Sequence, residues 1–285
     1  MRILLENVGV SYDRGLPSAT AALDGVSLSV EAGECVAVIG PTGSGKTTLL
    51  EVMSGLARPS SGRATLEPEE KGGLRSAVGL AYQFPESQFF EETVFADVAF
   101  GPRKQGVSGE EVEARVERAL SRAGLEVDGY ADRSPLSLSA GEKRRAAIAG
   151  IIALSRPFLL LDEPTAGLDP SSADTVARLV AAEVREGHGV IVVTHDLEFV
   201  DSVAGRTVVL SGGGVRADGD TASIMADQEL LGRLGLEPPA RYAVVNRLRE
   251  MRHPSAERVA EVLASERPAV QVHERRGPLA DPGGR

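Results

Sequence analysis

The stretch Gly40-Pro-Thr-Gly-Ser-Gly-Lys46-Thr47 decides the fold of this chain. It follows an apolar run over residues 35–39 that is typical of a buried strand, and it opens a helix-like run over residues 48–53. Glycines at positions 40, 43 and 45 allow the backbone to curl until successive N–H groups point inward, and the helix N-terminus adds its partial positive charge. The pattern therefore predicts a phosphate-binding loop, in which Lys46 reaches the β- and γ-phosphates and Thr47 holds Mg²⁺.

A second apolar run, Phe158-Leu-Leu-Leu161, carries two carboxylates, Asp162 and Glu163, at its end. Ligands bind at the carboxyl ends of strands in open α/β sheets, so these acids are predicted to lie beside the phosphate loop. One acid can coordinate Mg²⁺ through water, and the other can orient or deprotonate an attacking water. A helical run over residues 171–186 and an apolar run over residues 190–194 follow, which is the pattern of parallel strands buried on both faces. The predicted fold class is α/β.

Composition excludes several classes of protein. The 285 residues are 42% hydrophobic, enough for one sizeable core and a small appended domain. A net charge of -10 disfavours broad contact with nucleic acid or anionic lipid. The single cysteine, Cys35, lies in an apolar strand and is predicted to be a buried thiol in a reducing compartment. No signal peptide and no run of about 20 apolar residues is found, so a membrane role is expected to be that of a peripheral subunit.

The segment Leu138-Ser139-Ala140-Gly141-Glu142 resembles the signature motif of the ATP-binding cassette (ABC) ATPases. In that family the motif lies at a helix N-terminus and grips the γ-phosphate of a nucleotide held by the opposite subunit, a role the match gives to Ser139 and Gly141. Two positions depart from the family pattern. Ala140 stands where the family usually has glycine, and Glu142 stands where it usually has glutamine. The negative charge of Glu142 is expected to weaken contacts with the partner's nucleotide.

Further matches follow in the family's order. Gln83 resembles the Q-loop glutamine, Asp169 in Gly167-Leu-Asp169 the D-loop aspartate, and His195 the switch histidine, while Tyr12 matches the aromatic residue that stacks on adenine. The resemblance implies catalytic roles for Glu163, His195, Lys46 and Gln83, Mg²⁺ ligation by Thr47, Gln83 and Asp162, and ATP binding by Tyr12, Gly40, Pro41, Thr42, Gly43, Ser44, Gly45, Lys46, Thr47, Thr48, Ser139, Gly141 and Asp169.

The resemblance also implies a domain organisation. Residues 1–216 are expected to form the P-loop NTPase cassette, a RecA-like core with an N-terminal antiparallel β part and a helical subdomain inserted at about 84–150. Residues 217–265 are expected to form a small extension that stabilises a dimer, with short helices over residues 221–234 and 241–248 and near residues 255–265. Residues 266–285 are rich in proline, glycine and arginine and are expected to be a disordered tail.

Five of the seven phenylalanines fall between residues 84 and 100, directly after Gln83. Part of this cluster belongs to the core of the helical subdomain, and part is expected to form an exposed groove for short helices of a membrane partner. The chain resembles the ATPases of energy-coupling factor (ECF) transporters in three segments: this cluster, the run at 146–150 and the loop at 14–17. That resemblance implies a second ABC ATPase, identical or paralogous, a transmembrane coupling protein and a small substrate-binding membrane subunit at the cytoplasmic face of the membrane. The cargo would be a vitamin, cobalt or nickel ion.

Other cassettes remain as alternatives. A conventional ABC importer or exporter subunit would differ in the membrane protein that docks at residues 84–102. A soluble ABC ATPase of DNA repair would carry long coiled coils between Lys46 and Ser139, and one acting in translation would usually carry two cassettes and basic arms; neither pattern is present. A regulatory cassette without hydrolysis is disfavoured because Lys46, Asp162, Glu163 and His195 are intact.

Overall fold

The computed structural model describes residues 1–12, 20–83, 89–251, 257–260 and 262. The strands are β1 (Arg2–Tyr12), β2 (Thr20–Glu31), β3 (Cys35–Ile39), β4 (Ser61–Glu67), β5 (Val78–Ala81), β6 (Phe158–Asp162), β7 (Gly189–Val193), β8 (Arg206–Ser211) and β9 (Gly214–Asp220). The helices are α1 (Lys46–Met53), α2 (Leu74–Ala77), α3 (Val94–Lys104), α4 (Glu110–Arg122), α5 (Val127–Tyr130), α6 (Ala140–Ile152), α7 (Pro170–Arg185), α8 (Leu197–Val203), α9 (Thr221–Ala226), α10 (Gln228–Arg233) and α11 (Ala240–Glu250).

The strands form two sheets. The central sheet has the order β5-β6-β7-β3-β8-β9, and all its neighbours are parallel except the antiparallel pair β8 and β9. A smaller antiparallel sheet has the order β2-β1-β4. The predicted α/β fold class is confirmed.

The central strands are apolar on both faces because each face is covered. Every residue of β3, β6 and β7 is buried. Along β3, Cys35, Ala37 and Ile39 pack into a core shared with the helices α3, α4, α6 and α7, whereas Val36 and Val38 pack into a core shared with α1 and the small sheet. Cys35 is buried as predicted, and its burial raises the pKa of the thiol to about 12.

The segment between β5 and β6 is helical. Helix α4 buries Val112, Val116, Ala119 and Leu120 at helical spacing, and its acidic residues remain outside. Helix α6 packs against α3 and α4 and also against β5, so it joins this helical segment to the central sheet.

The chain after β9 forms short helices. The single helical run expected over residues 221–234 is two helices, because the Asp227 side chain accepts a hydrogen bond from Leu230 N and starts α10 as a new helix. Helix α11 docks on α8: Arg241 Nη2 donates to Asp201 Oδ1 at 2.5 Å, and Tyr242 OH donates to the same oxygen at 3.0 Å. The predicted tail, the loop at 14–17 and Phe84 lie outside the described residues. In the described part of the chain, no helix has the length and apolar character needed to cross a membrane.

Candidate nucleotide-binding site

The loop after β3 has a shape that only glycine permits at two positions. Gly40 has φ +151° and Gly45 has φ +101°. A Cβ atom on Gly40 would lie 2.0 Å from the carbonyl oxygen of Leu210, and one on Gly45 would lie 2.3 Å from that of Ala22. The loop is therefore pressed against the backbones of β8 and β2, and it leads directly into the N-terminus of α1, where anions bind.

The Lys46 ammonium lies within this loop. Its Nζ donates to the carbonyl oxygens of Gly40 at 2.8 Å and Pro41 at 3.0 Å. Burial lowers the pKa of Lys46, and the nearby carboxylates of Glu163 and Asp162 oppose that shift. A half-buried cation is thus held inside the curve of the loop.

Thr47 and Asp162 connect the loop to the end of β6. Thr47 Oγ1 donates to Asp162 Oδ2 at 3.2 Å. Burial raises the pKa of Asp162, while the Thr47 hydrogen bond lowers it. These hard oxygen donors suit Mg²⁺, and a cation would compensate a carboxylate that burial penalises.

Glu163 is the most tightly held acid of the site. Its carboxylate accepts a hydrogen bond from Thr194 Oγ1 at 3.0 Å, and its other oxygen lies 2.9 Å from His195 Nδ1. Glu163 is buried, whereas the His195 side chain is 70% exposed. The backbone of Glu163 has φ +49°, a left-handed conformation that costs a non-glycine residue about 1–2 kcal/mol. Strain of this kind persists where the surrounding contacts enforce it.

These groups share one open cleft of about 460 Å³. It brings together residues that the sequence separates by more than a hundred positions: Thr20, Ala21, Ala22, Thr42, Gly43, Gly45, Lys46, Thr47, Thr48, Gln83, Asp162, Glu163 and His195. Phosphate-binding backbone, a cation, two acids and a histidine therefore face the same space, as a nucleoside triphosphatase requires.

Seven of the predicted residues do not line this cleft. Gly40, Pro41 and Ser44 belong to the phosphate loop itself, and the other four lie apart from the loop. Tyr12 is exposed at the end of β1, and its hydroxyl lies 3.3 Å from Thr48 Oγ1, so it stands beside the start of α1. Ser139 and Gly141 lie at the N-terminus of α6, and Asp169 lies at the N-terminus of α7. A Cβ atom on Gly141 would be 3.4 Å from Leu168, so the signature and D-loop segments are adjacent to each other.

The start of α6 is closed by a capping box. Ser139 Oγ accepts a hydrogen bond from Glu142 N at 3.3 Å, and Glu142 Oε2 accepts one from Ser139 N at 2.7 Å. Glu142 Oε1 accepts a hydrogen bond from Tyr130 OH at 2.7 Å. This bond and the Ser139 amide lower the pKa of Glu142 to about 2. Both oxygens of the Glu142 carboxylate are thus hydrogen-bonded to groups of the same chain.

Asp169 has a similar local role, because its side chain accepts hydrogen bonds from Ser172 N and Ser172 Oγ. These bonds lower the pKa of Asp169.

Two residues of the site were missed by sequence reasoning. Thr194 directly precedes His195, so the hydroxyl at the end of an apolar strand was an available signal. Arg144 donates to the main-chain carbonyls of Gln83 and Glu163, and the identity of a residue in the sequence gives no signal for such contacts.

Comparison with known proteins agrees with this geometry. The family model described as ABC transporter matches residues 23–166. Among solved structures, this chain superposes on cbiO1 from Clostridium perfringens, described as part of the ABC transporter complex cbiONQ, with a TM-score of 0.71 and 32% sequence identity. The superposition covers 86% of this chain and 98% of the cbiO1 chain. The ATP-binding cassette MJ0796, solved as a dimer in a post-hydrolysis state with ADP and Pi, superposes with a TM-score of 0.69 at 28% identity over 77% of this chain and 98% of its own. Fold and site thus define an ABC-type ATPase.

The curated relatives narrow this class. The energy-coupling factor transporter ATP-binding protein EcfA2 of Symbiobacterium thermophilum is 44% identical over 257 residues, which cover 88% of this chain and 89% of the relative. The EcfA protein of Methanothermobacter thermautotrophicus is 41% identical over 254 residues, covering 87% and 80%. The chain belongs to the family of ECF transporter ATP-binding proteins, as its sequence motifs predicted, and its activity is ATP hydrolysis coupled to transport.

Proposed function

We propose that this cleft binds Mg·ATP and that Glu163 is the general base of hydrolysis in an ECF-type importer. The observation that carries the proposal is the position of the Glu163 carboxylate, which Thr194 and His195 fix at the edge of the cleft that Lys46 and Asp162 line. A carboxylate held in one orientation can accept a proton from a water aligned with the γ-phosphate.

The remaining roles follow from the same geometry. The loop amides and Lys46 would hold the β- and γ-phosphates. The exposed His195 ring would contact the γ-phosphate while its Nδ1 stays hydrogen-bonded to Glu163. Tyr12 beside α1 would stack on adenine. Thr47, Asp162 and Gln83 offer the oxygen donors that fit Mg²⁺, which would neutralise charge between the β- and γ-phosphates.

The proposal includes a second cassette. Ser139 and Gly141 lie at a helix N-terminus outside the cleft, beside the D-loop, so their anion-binding groups are available to a nucleotide held by another subunit. Two cassettes, a second copy or a paralogue, would close head to tail on two nucleotides and separate after hydrolysis. The capping box leaves the Ser139 hydroxyl proton to donate to phosphate, because its oxygen already accepts from Glu142 N.

The proposed membrane partners are a transmembrane coupling protein and a small substrate-binding subunit, with a vitamin, cobalt or nickel ion as cargo. Support comes from the helical segment. Phe90 is 62% exposed and packs edge-on against Phe100, with ring centroids 4.5 Å apart, and Lys104 Nζ lies 5.2 Å from the Phe100 ring. This surface suits an amphipathic helix at the cytoplasmic face of the membrane.

The substitution Glu163→Gln tests the catalytic assignment. In the transporter purified with its native partners, we expect ATP binding to persist and hydrolysis to fall by about 10²- to 10⁴-fold, the usual contribution of a general base. Glutamine keeps an oxygen for Thr194 but cannot take the proton. Glu111→Gln, on the exposed face of α4, is the control and should leave turnover unchanged. Near-normal turnover of the Glu163 variant would assign the base to another residue.

The substitution Phe90→Glu tests the partner surface. A charge in the aromatic cluster should reduce recovery of the coupling protein when the tagged chain is extracted in mild detergent, with copurifying subunits identified by mass spectrometry. Leu56→Glu changes an equally apolar, 51% exposed residue after α1 and is the control. Equal recovery with both variants would place the membrane contact elsewhere.

A further inference from the structure

Arg144, on helix α6, links the signature helix to two catalytic segments of the core. One guanidinium nitrogen, Nη2, donates to the main-chain carbonyl of Gln83 at 2.8 Å, and the other, Nη1, donates to the main-chain carbonyl of Glu163. A planar guanidinium fixes its donors in a rigid fork, so one side chain sets the relative position of two separate loops.

The backbone of Glu163 needs such support. Its amide donates to Val193 O at 2.8 Å, and its carbonyl accepts from Arg144, so both sides of the residue are anchored while φ stays at +49°. A residue in this region of conformational space relaxes unless its neighbours hold it there. Relaxation would move the carboxylate away from Thr194 and His195.

The adjacent arginine provides a comparison within the same helix. Arg145 Nη1 also donates to two main-chain carbonyls, those of Ala123 at 3.1 Å and Gly124 at 3.0 Å. Both of these acceptors follow α4 and belong to the helical segment. The two arginines thus make the same type of contact, but only Arg144 reaches the catalytic loops.

We infer that Arg144 is a positioning residue for ATP hydrolysis, which acts by holding the main chains of Glu163 and Gln83 in register with the signature helix. The general base is then aligned only while α6 lies against the core. The position of the signature helix α6 and the orientation of the Glu163 carboxylate are therefore coupled. The inference rests on the proposed role of Glu163 as the base.

The test compares Arg144→Ala, Arg144→Lys and Arg145→Ala in the complete transporter complex. A base displaced by about 1 Å can lose about 10²-fold in rate, so we expect Arg144→Ala to lower kcat by about 10- to 100-fold while KM for ATP stays within about threefold. Arg144→Lys keeps the charge without the fork and should give an intermediate kcat. Arg145→Ala should lower the melting temperature but keep kcat per folded complex within about threefold.

A second measurement separates positioning from general damage to the fold. In single-turnover assays, Arg144→Ala should cause a further loss of no more than about threefold in a Glu163→Gln background, because a misplaced base costs nothing once the base is absent and only the Gln83 contact remains to be lost. Losses that multiply would overturn the inference, as would equal effects at positions 144 and 145 or an unchanged kcat in Arg144→Ala. If Arg144→Ala does not fold, Arg144→Lys is compared with Arg145→Ala and with the Glu163→Gln background in the same assays. Full activity of Glu163→Gln alone would instead refute the proposed base.

Discussion

Tyr130 is predicted to stabilise the start of the signature helix through Glu142. The change Tyr130→Phe removes one hydroxyl, which donates to Glu142 Oε1 at 2.7 Å, and leaves the ring and its contact with Arg133 in place. The other oxygen of Glu142 caps Ser139 N–H at 2.7 Å. A change at Tyr130 therefore acts on the capping box without altering the signature residues.

The expected magnitude follows from the pKa of Glu142. A fall from 4.5 to about 2 corresponds to about 3 kcal/mol of preference for the ionised form, and the Tyr130 hydroxyl is its largest cause. The Ser139 contacts and Arg133 share that preference, and solvent screens a group at the rim of the protein. We assign about 1 kcal/mol to the hydroxyl. Because the pKa of Glu142 is lowered on folding, this stabilisation is complete above about pH 4.5 and is lost as the pH falls toward 2.

Urea unfolding of a double-mutant cycle measures this value. The wild type, Tyr130→Phe, Glu142→Gln and the double variant would be compared at pH 7 without nucleotide. Glutamine preserves the capping box but removes the charge. We expect a coupling free energy of about 1 kcal/mol between positions 130 and 142. Additive effects, within about 0.3 kcal/mol, would refute the reasoning, because they would mean that the hydroxyl and the carboxylate do not stabilise each other in solution.

Two further predictions concern the phosphate loop and the acid beside it. Gly40→Ala should lower the free energy of unfolding by about 3 to 5 kcal/mol, because its Cβ would meet Leu210 O at 2.0 Å in a conformation that favours glycine. Gly43→Ala, with φ +79° and open space around it, should lower the free energy of unfolding by only about 1–2 kcal/mol, and similar urea midpoints for the two variants would contradict this. Thr194→Val should cost about 2 to 3 kcal/mol because it leaves one oxygen of the buried Glu163 carboxylate, Oε2, without its donor, while Thr194→Ser should remain within about 1 kcal/mol of the wild type in the same assay. Equal losses would show that the shape of the side chain rather than its hydroxyl matters.

Much of the fold was predictable because its signals are local. Glycine spacing defines the phosphate loop, and uninterrupted apolar runs define strands buried on both faces, as β3, β6 and β7 are. The break at Asp227 was missed because a capping side chain within a helical run has little effect on hydrophobic periodicity.

Contacts between distant segments were less predictable. The sequence places the charge of Glu142 near phosphate but gives no sign that Tyr130 and the Ser139 amide hold its carboxylate. The pairing depends on the short helix α5 folding back toward α6, which no local pattern specifies. The fork of Arg144 depends likewise on where two loops converge.

The register of the central sheet explains why the groups of the candidate site converge as they do. Val38 of β3 pairs with Val193 of β7, and Asp162 of β6 pairs with the same Val193, so these three residues form one row across adjacent strands. Neighbouring strands lie about 4.8 Å apart, and Gly40, Glu163 and His195 follow this row by one or two residues. This half of the site is therefore built into the rigid sheet. The signature segment is instead carried by α6, whose Arg144 donates to the main chains of Glu163, directly after this row, and of Gln83. We expect α6 to be the part that moves when cassettes close, and Arg144 to transmit that movement to Glu163.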